Sequence, residues 1–308
     1  MTPYMVGAVH YYSADLGDGL VLFDAGPPTA EARELLPHQI DLTQLRAIFI
    51  THCHVDHYGL ADWLQHSSGA ELYLSRQDAV KFQRHEERMT RLAEILSSYG
   101  FSGAAIEQMQ RSFQNNGLFP TPPQQYRIVE ESPELADLGI GWVACPGHSQ
   151  SDLVYLVGNG AVTGDLLLQD IFQAPLLDVD YDTFQGRFRN YDTYCSSLEQ
   201  LARLRGRSIH PGHRESVAGV DQSICFYVIT LIKRAVKLRQ MRSIPLPELT
   251  EQLFGGRSVD PLLHYLKASE VVFMWDFLDN PQLLQDALQR IGLYDRLAEL
   301  FEEPLKEL

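Results

Sequence analysis

The segment Thr51-His52-Cys53-His54-Val55-Asp56-His57 sets four side chains able to bind metal within six residues, directly behind the apolar run Ala47-Ile48-Phe49-Ile50. Imidazole and carboxylate suit borderline divalent cations such as zinc, iron(II) or manganese. The His-x-His alternation carries two rings to the same side of an extended backbone, and a turn at the strand's end can aim all four groups inward. Three more candidates stand just past short apolar runs: His148 in Pro146-Gly147-His148, Asp165 in Thr163-Gly164-Asp165 and His213 in His210-Pro211-Gly212-His213. One histidine has many ordinary explanations. Seven ligand-type residues at strand ends point to metal, and they are too many for one tetrahedral ion.

The elements that must position them can be read from pattern. Apolar alternation over residues 4–13, a turn at Gly17-Asp18-Gly19 and the run Leu20-Val21-Leu22-Phe23-Asp24 predict a β-hairpin. Gly26-Pro27-Pro28 stops the strand, and Thr29 caps a helix expected to run through Leu36. A buried strand over 47–50, a helix over 59–66 and a strand over 71–74 follow. Residues 76–116 carry helical spacing and no strand signal, which predicts a helical insertion. Strands are expected over 126–129, 141–145, 153–157 and 161–163, the last two joined through Gly158-Asn159-Gly160, where Asn-Gly is a hairpin signal. A long connection, 166–190, precedes a helix near Tyr191. From Asp221 onward the pattern is helical and punctuated by Pro245, Pro247, Pro261 and Pro281. A boundary near Val220 thus separates a two-sheet α/β domain (1–220) from an α-helical cap (221–308).

A chain of 308 residues is long enough for one large domain with an appendage or for two modest domains, since single cores rarely grow far beyond about 250–300 residues. A net charge of −15 argues against nucleic acid and anionic membranes as partners, since both need a basic surface. An anionic substrate would need a local basic pocket. No basic-plus-apolar leader opens the chain and no apolar stretch reaches spanning length, so a cytoplasmic protein is expected. The expected partner is a small-molecule substrate, with a homodimer left open. Cys53, Cys145, Cys195 and Cys225 form no Cys-x-x-Cys pair and are expected as reduced bystanders. No Gly-x-Ser-x-Gly elbow or Gly-rich phosphate loop occurs. His10, His38, His66, His85, His210 and His264 are expected in surface or structural roles, with His210 placed to support a ligand.

The ordered set His-x-His-x-Asp-His, Gly-His, Gly-Asp and Pro-Gly-His resembles the metallo-β-lactamase superfamily over roughly residues 4–220. The resemblance implies an αββα four-layer sandwich with a C-terminal helical extension. It also implies two divalent ions per chain (zinc, iron or manganese), the first on His52, His54 and His148, the second on Asp56, His57 and His213, with Asp165 bridging. Asp56 and Asp165 would then be the catalytic carboxylates. Members that hydrolyse antibiotics generally carry cysteine or histidine in the second site, so the bridging aspartate is more similar to glyoxalase II, thioesterases, lactonases and phosphodiesterases.

Two such ions about 3.5–4 Å apart would share a water and bring its pKa toward ~7, supplying a bridging hydroxide. A thiolate, with a parent pKa near ~8.5, leaves without a proton, which favours an acyl thioester. The C-terminal helices, including Phe254-Gly255-Gly256-Arg257-Ser258-Val259-Asp260, resemble the cap of a thioesterase of Pseudomonas quinolone signalling. They would form a gating lid separable from the metal domain, with Tyr265, Phe273, Met274, Trp275 and Phe277 as candidate lining or packing residues. Arg187 and Arg189 are candidate substrate contacts. So are Lys233 and Lys237, which share a helix face and could hold a coenzyme A phosphate or simply face water.

Competing possibilities are a lactonase or phosphodiesterase, a metal-bound regulatory protein with incidental hydrolysis, and a mononuclear iron persulfide dioxygenase. The glutathione-type Cys-Gly-Arg and the dioxygenase-type Gly-Cys-Gly-Arg are both missing after Asp165. Leu168 stands where lactonases often carry tyrosine.

Overall fold

The computed structural model describes residues 8–17, 19–113, 119–173, 175–255 and 260–305. Two sheets face each other. The first runs in the order β1 (Tyr12–Asp15), β2 (Leu20–Phe23), β3 (Leu45–Phe49), β4 (Glu71–Leu74), β5 (Arg127–Ile128), antiparallel between β1 and β2 and parallel thereafter. The second runs β6 (Ile140–Ala144), β7 (Leu153–Val157), β8 (Gly160–Gly164), β9 (Ser208–Pro211), with only the β8–β9 pair parallel.

Side-chain alternation along each strand makes the layers. Val21, Phe23, Ala47, Phe49 and Tyr73 point inward and meet Ile140, Leu153, Tyr155 and Val162 of the other sheet. Phe49 stacks between Phe23 and Tyr73, with ring centroids 5.5 Å and 4.7 Å away. The alternate residues Leu22, Ile48, Leu72 and Leu74 pack outward with Leu36 of α1 (Ala30–Gln39) and Leu64 of α3 (Ala61–Ser68). On the far side Val154 and Ala161 join the helical core. The result is the four-layer αββα sandwich anticipated above.

Local chemistry sets the element ends. Thr29 caps α1, its hydroxyl accepting from Ala32 N, and α1 continues through Pro37 to Gln39, beyond the expected end at Leu36. In the β7–β8 hairpin Val157 pairs with Gly160, so the two turn residues are Gly158 and Asn159 and the positive φ of +52° falls on Gly158. The hairpin is the expected one, but Gly158 at the first turn position makes it, not the Asn-Gly pair. The 76–116 insertion forms α4 (Arg76–Gln83), α5 (His85–Ser98) and α6 (Gly103–Phe113). Its last expected residues, 114–116, lie outside the described ones, as do 4–7 of the first strand and 256–259 of the cap stretch.

After α7 (Asn190–Ala202) and β9 come α8 (Val220–Arg239), α9 (Leu246–Leu253), α10 (Pro261–Asp279), α11 (Pro281–Arg290) and α12 (Ala298–Leu305). Proline sits in the first turn of α9, α10 and α11, where its missing N–H costs nothing. These helices do not stand apart. Val228, Leu231, Phe273 and Phe277 share one continuous core with Leu92 and Leu96 of α5, Ile106 and Met109 of α6, and Leu198 and Leu201 of α7. The helices after residue 220, the insertion and α7 thus pack together as one helical layer over the second sheet. Among the described residues no helix is long and apolar enough to cross a membrane.

Candidate metal centre

The chain leaves β3, bends at Thr51 and is extended at His54, then enters the single-turn helix α2 (Val55–Tyr58), which carries Asp56 and His57. His52 and His54 thus come from the short link between β3 and α2, while Asp56 and His57 come from the helical turn itself. His148 arrives on the loop between β6 and β7, Asp165 directly after β8, and His213 two residues after β9. Every ligand-type residue is therefore delivered to the same end of the sandwich by a strand end.

Two clusters result. His52 Nε2 and His148 Nε2 each lie 3.0 Å from His54 Nδ1. One ring nitrogen offers a single lone pair or a single proton and cannot serve two neighbours at once. A cation can, since nitrogens ~2.0–2.1 Å from a tetrahedral ion are ~3.3 Å apart. In the second cluster His213 Nε2 is 3.2 Å from Asp56 Oδ2 and 3.5 Å from Asp165 Oδ1, and His57 Nε2 is 3.3 Å from the same Asp165 Oδ1. Asp165 Oδ2 faces the first cluster, 3.8 Å from His148 Nε2. His57 Nε2, His213 Nε2 and Asp165 Oδ1 are buried without a hydrogen-bond partner. Each such orphan costs about 1–3 kcal/mol unless something unseen satisfies it. The donor set fits divalent ions in both clusters.

The second ring nitrogens of His57, His52 and His213 are committed, which turns their Nε2 atoms inward, whereas His148 Nδ1 is buried without a partner. Asp24 Oδ2 lies 2.8 Å from His57 Nδ1, and Asp24 also accepts from the backbone N and hydroxyl of Thr51. Thr51 Oγ1 in turn sits 3.1 Å from His52 Nδ1, and His213 Nδ1 donates to the Ala8 carbonyl at 2.9 Å. Asp24 escaped the sequence reading. Its only signals were an acid closing an apolar strand and, in the structure, a left-handed φ of +62°.

Two glycines make room. A β-carbon on Gly212 would lie 2.6 Å from Asp165 Oδ1 and 2.7 Å from His57 Cε1, and one on Gly164 would lie 2.6 Å from Thr51 Oγ1. The loop bearing His148 is held by Asp152, which accepts from Ser149 N and Oγ. Burial pushes the Asp152 carboxyl up to about 8 against the pull of those hydrogen bonds.

Electrostatics separates the groups by role. Burial alone would raise Asp56 and Asp165, but the charge of His57 and the contact with His213 or His57 bring each down to about 2, so both are carboxylates at neutral pH. Burial, reinforced by neighbouring rings, holds His52 and His54 well below the usual imidazole range, leaving neutral rings suited to ligation. For His57 burial also acts downward, yet the carboxylates of Asp24, Asp165 and Asp56 prevail and raise it.

The centre floors a cavity of about 500 Å³. Leu168, Ile171 and Phe172 of the 166–190 connection form one wall, and Leu262, Leu263 and Leu266 of α10 another, with Phe113 of α6 and Phe119 closing the side. The sequence reading missed most of these. Of the cap residues named from the sequence, Tyr265 and Phe254 line the cavity; Phe273, Met274 and Phe277 are core, and Trp275 is half-buried.

The proposed cationic contacts also fall elsewhere. Arg187 makes a two-pronged ion pair with Asp276 of α10, Nη1 to Oδ2 at 2.8 Å, and Arg189 Nη1 lies 3.2 Å from Asp276 Oδ1. Both arginines tether the 166–190 connection to the cap, outside the cavity wall. Lys233 and Lys237 lie on the solvated face of α8. His210 packs against the Tyr12 ring, centroids 5.0 Å apart, and touches no ligand. Cys53 and Cys145 are buried free thiols, and burial pushes Cys145 up to about 12.

Comparison with known proteins agrees with this geometry. A family model described as the metallo-beta-lactamase superfamily matches residues 5–213. The probable metallo-hydrolase YqjP of Bacillus subtilis (strain 168) is 29% identical over 240 residues, covering 72% of each chain. Among solved structures, a metallo-beta-lactamase family protein from Thermus thermophilus superposes with a TM-score of 0.68 at 19% identity over 91% of each chain. A beta-lactamase domain protein from Burkholderia ambifaria gives 0.69 at 17% identity over 91% of this chain and 85% of its own. At such identities these two structures speak for the fold alone.

Proposed function

This chain belongs to the metallo-beta-lactamase superfamily, and from that premise we propose that it hydrolyses an acyl thioester with two divalent ions held between His52, His54, His148, Asp165, Asp56, His57 and His213. The observation that carries this reading is the double aspect of Asp165: one carboxylate oxygen faces His57 and His213, the other faces His148. Ions in these positions would supply Lewis acidity, acidifying water and polarising a carbonyl. The protein's own work is positioning. Asp24 and Thr51 fix the tautomers of His57 and His52, Gly212 and Gly164 let backbone approach the ligands, and the apolar walls exclude water and orient an acyl chain.

The cavity favours a leaving group that departs without a proton. Among its described lining residues, the Tyr265 hydroxyl is spent on the Leu177 carbonyl, and Lys267 is paired with Glu270. No free general acid stands beside the ligands there, and a thiolate needs none. Leu168 faces the cavity, so the tyrosine typical of lactonases has no counterpart at that position.

Full-length protein assayed on matched acyl-CoA thioesters, oxygen esters, lactones and bis-aryl phosphates tests this. Thioester turnover should be fastest, stop on chelation and return with zinc, iron or manganese. Faster phosphodiester or lactone cleavage would move the activity to those branches, oxygen uptake would make it a dioxygenase, and partner capture without any turnover would make it a regulatory protein.

The support given by Asp24 is tested separately. Asp24→Asn keeps the volume but removes the charge opposite His57, and is expected to weaken binding of one ion by roughly 10–100-fold. Competitive metal titration reads this directly, and an unchanged affinity would deny Asp24 that role.

A further inference from the structure

One cation of the cavity is left unused by this chemistry. Arg214 directly follows His213, lines the cavity, is exposed, and makes no ion pair among the described residues. The other cation of the wall, Lys267, is ion-paired with Glu270, which also accepts from Arg234 Nη1 at 2.6 Å. In a chain of net charge −15, Arg214 is thus the side-chain cation of the wall that no carboxylate pairs among the described residues, placed to meet an anion entering the cavity.

The backbone strengthens the case. Arg214 has φ +65°, a region natural for glycine and strained for a residue with a β-carbon. Its approach is pinned: His10 N donates to Gly212 O at 2.7 Å, Gly212 N donates to Gly164 O at 2.7 Å, and His213 is fixed through Ala8. The chain must turn here, and it turns on an exposed arginine at the cavity wall. Strain of this kind, retained where glycine would relieve it, collects at functional positions.

We propose that Arg214 binds an anionic group of the substrate beside the metal ligands, so that the substrate is an amphiphile: an acyl compound with a carboxylate, sulfonate or phosphate at one end and an apolar body lying along Leu168, Ile171, Leu263 and Leu266. This rests on the cavity being the substrate site of the proposed hydrolase and narrows its substrate class. A planar guanidinium, always charged and able to grip an anion with two parallel N–H donors, suits that task better than an ammonium.

Calorimetric binding of decanesulfonate, a poor metal ligand, and of decanol to the full-length, metal-loaded protein tests the assignment without turnover. Arg214→Gln should weaken decanesulfonate by roughly 10–100-fold while decanol stays within about 2-fold, and Arg214→Lys should recover part of the loss. Arg214→Gly should lose sulfonate affinity equally while raising the melting temperature by roughly 1–3 °C, because it relieves the turn. Equal sulfonate binding by wild type and Arg214→Gln, or an equal fall for decanol, would overturn the proposal. Sulfonate discrimination without turnover of any thioester would leave Arg214 in place and remove the thioesterase reading; thioester turnover without discrimination would do the reverse.

Discussion

Asp165→Ala is expected to keep the fold, lose one of two metal ions and lower kcat/KM by about 10²–10³-fold, since the several kcal/mol an ion supplies to a developing charge correspond to that loss. The reason is geometric. Asp165 is the only one of the candidate ligands whose two oxygens face both clusters, 3.3 Å from His57 Nε2 on one side and 3.8 Å from His148 Nε2 on the other. Alanine leaves His57 and His213 still held by Asp24 and Ala8, so rings remain in place while the shared anionic donor disappears. Asp165→Asn, which keeps the shape and removes the charge, should fall nearly as far. Elemental analysis together with thioester kinetics checks both. Two ions and near-native rates in either variant would remove the bridging assignment.

Cutting the chain after residue 220 is expected to abolish folding, not merely recognition. Leu92, Leu96, Ile106, Met109, Leu198 and Leu201 pack in the same core as Val228, Leu231, Phe273 and Phe277. Each of those six side chains gains roughly 1.5–3 kcal/mol from burial, so exposing even half of that surface forfeits ~5–9 kcal/mol, comparable to the ~5–15 kcal/mol that holds a whole domain together. A truncated chain should appear in the insoluble fraction or melt without cooperativity. In the intact chain Phe277→Ala, at a position only 1% exposed, should cost about 3–5 kcal/mol, read by denaturant unfolding. A soluble fragment of residues 1–220 that melts cooperatively and binds metal would show that the cap is an independent unit after all.

What could be read in advance follows from how far apart the cooperating residues stand. His52, His54, Asp56 and His57 were visible because one strand end and one turn carry them all, and His148, Asp165 and His213 because each follows its own short apolar strand. The layers of the sandwich were implied by the family resemblance those residues carry and not by the strands themselves, since β2 and β3 are apolar on both faces and only the structure separates inward Phe23 and Phe49 from outward Leu22 and Ile48. Asp24 was not visible, because its service to Thr51 and His57 is created by the parallel pairing of β2 with β3, across 27 and 33 residues of chain.

Arg187 and Arg189 looked like substrate contacts because they are cations on a long connection in a net-acidic chain, but the partner that claims them, Asp276, lies 89 residues beyond Arg187. The cap was harder still. A helix apolar on nearly every face, as α10 is, gives no periodicity to tell the cavity-lining Leu262 and Leu266 from the core residues Phe273 and Phe277. Arg214 offered no sequence signal, since its distinction is a backbone angle and the lack of an ion-pair partner among the described residues.

The most direct measurement is the metal count of active protein. Full-length chain purified without chelator and without nickel affinity should hold two divalent ions per chain, lose thioester hydrolysis when both are stripped, and regain it only as the second equivalent is returned. Full activity in protein carrying one ion or none would contradict a dinuclear centre built on Asp165.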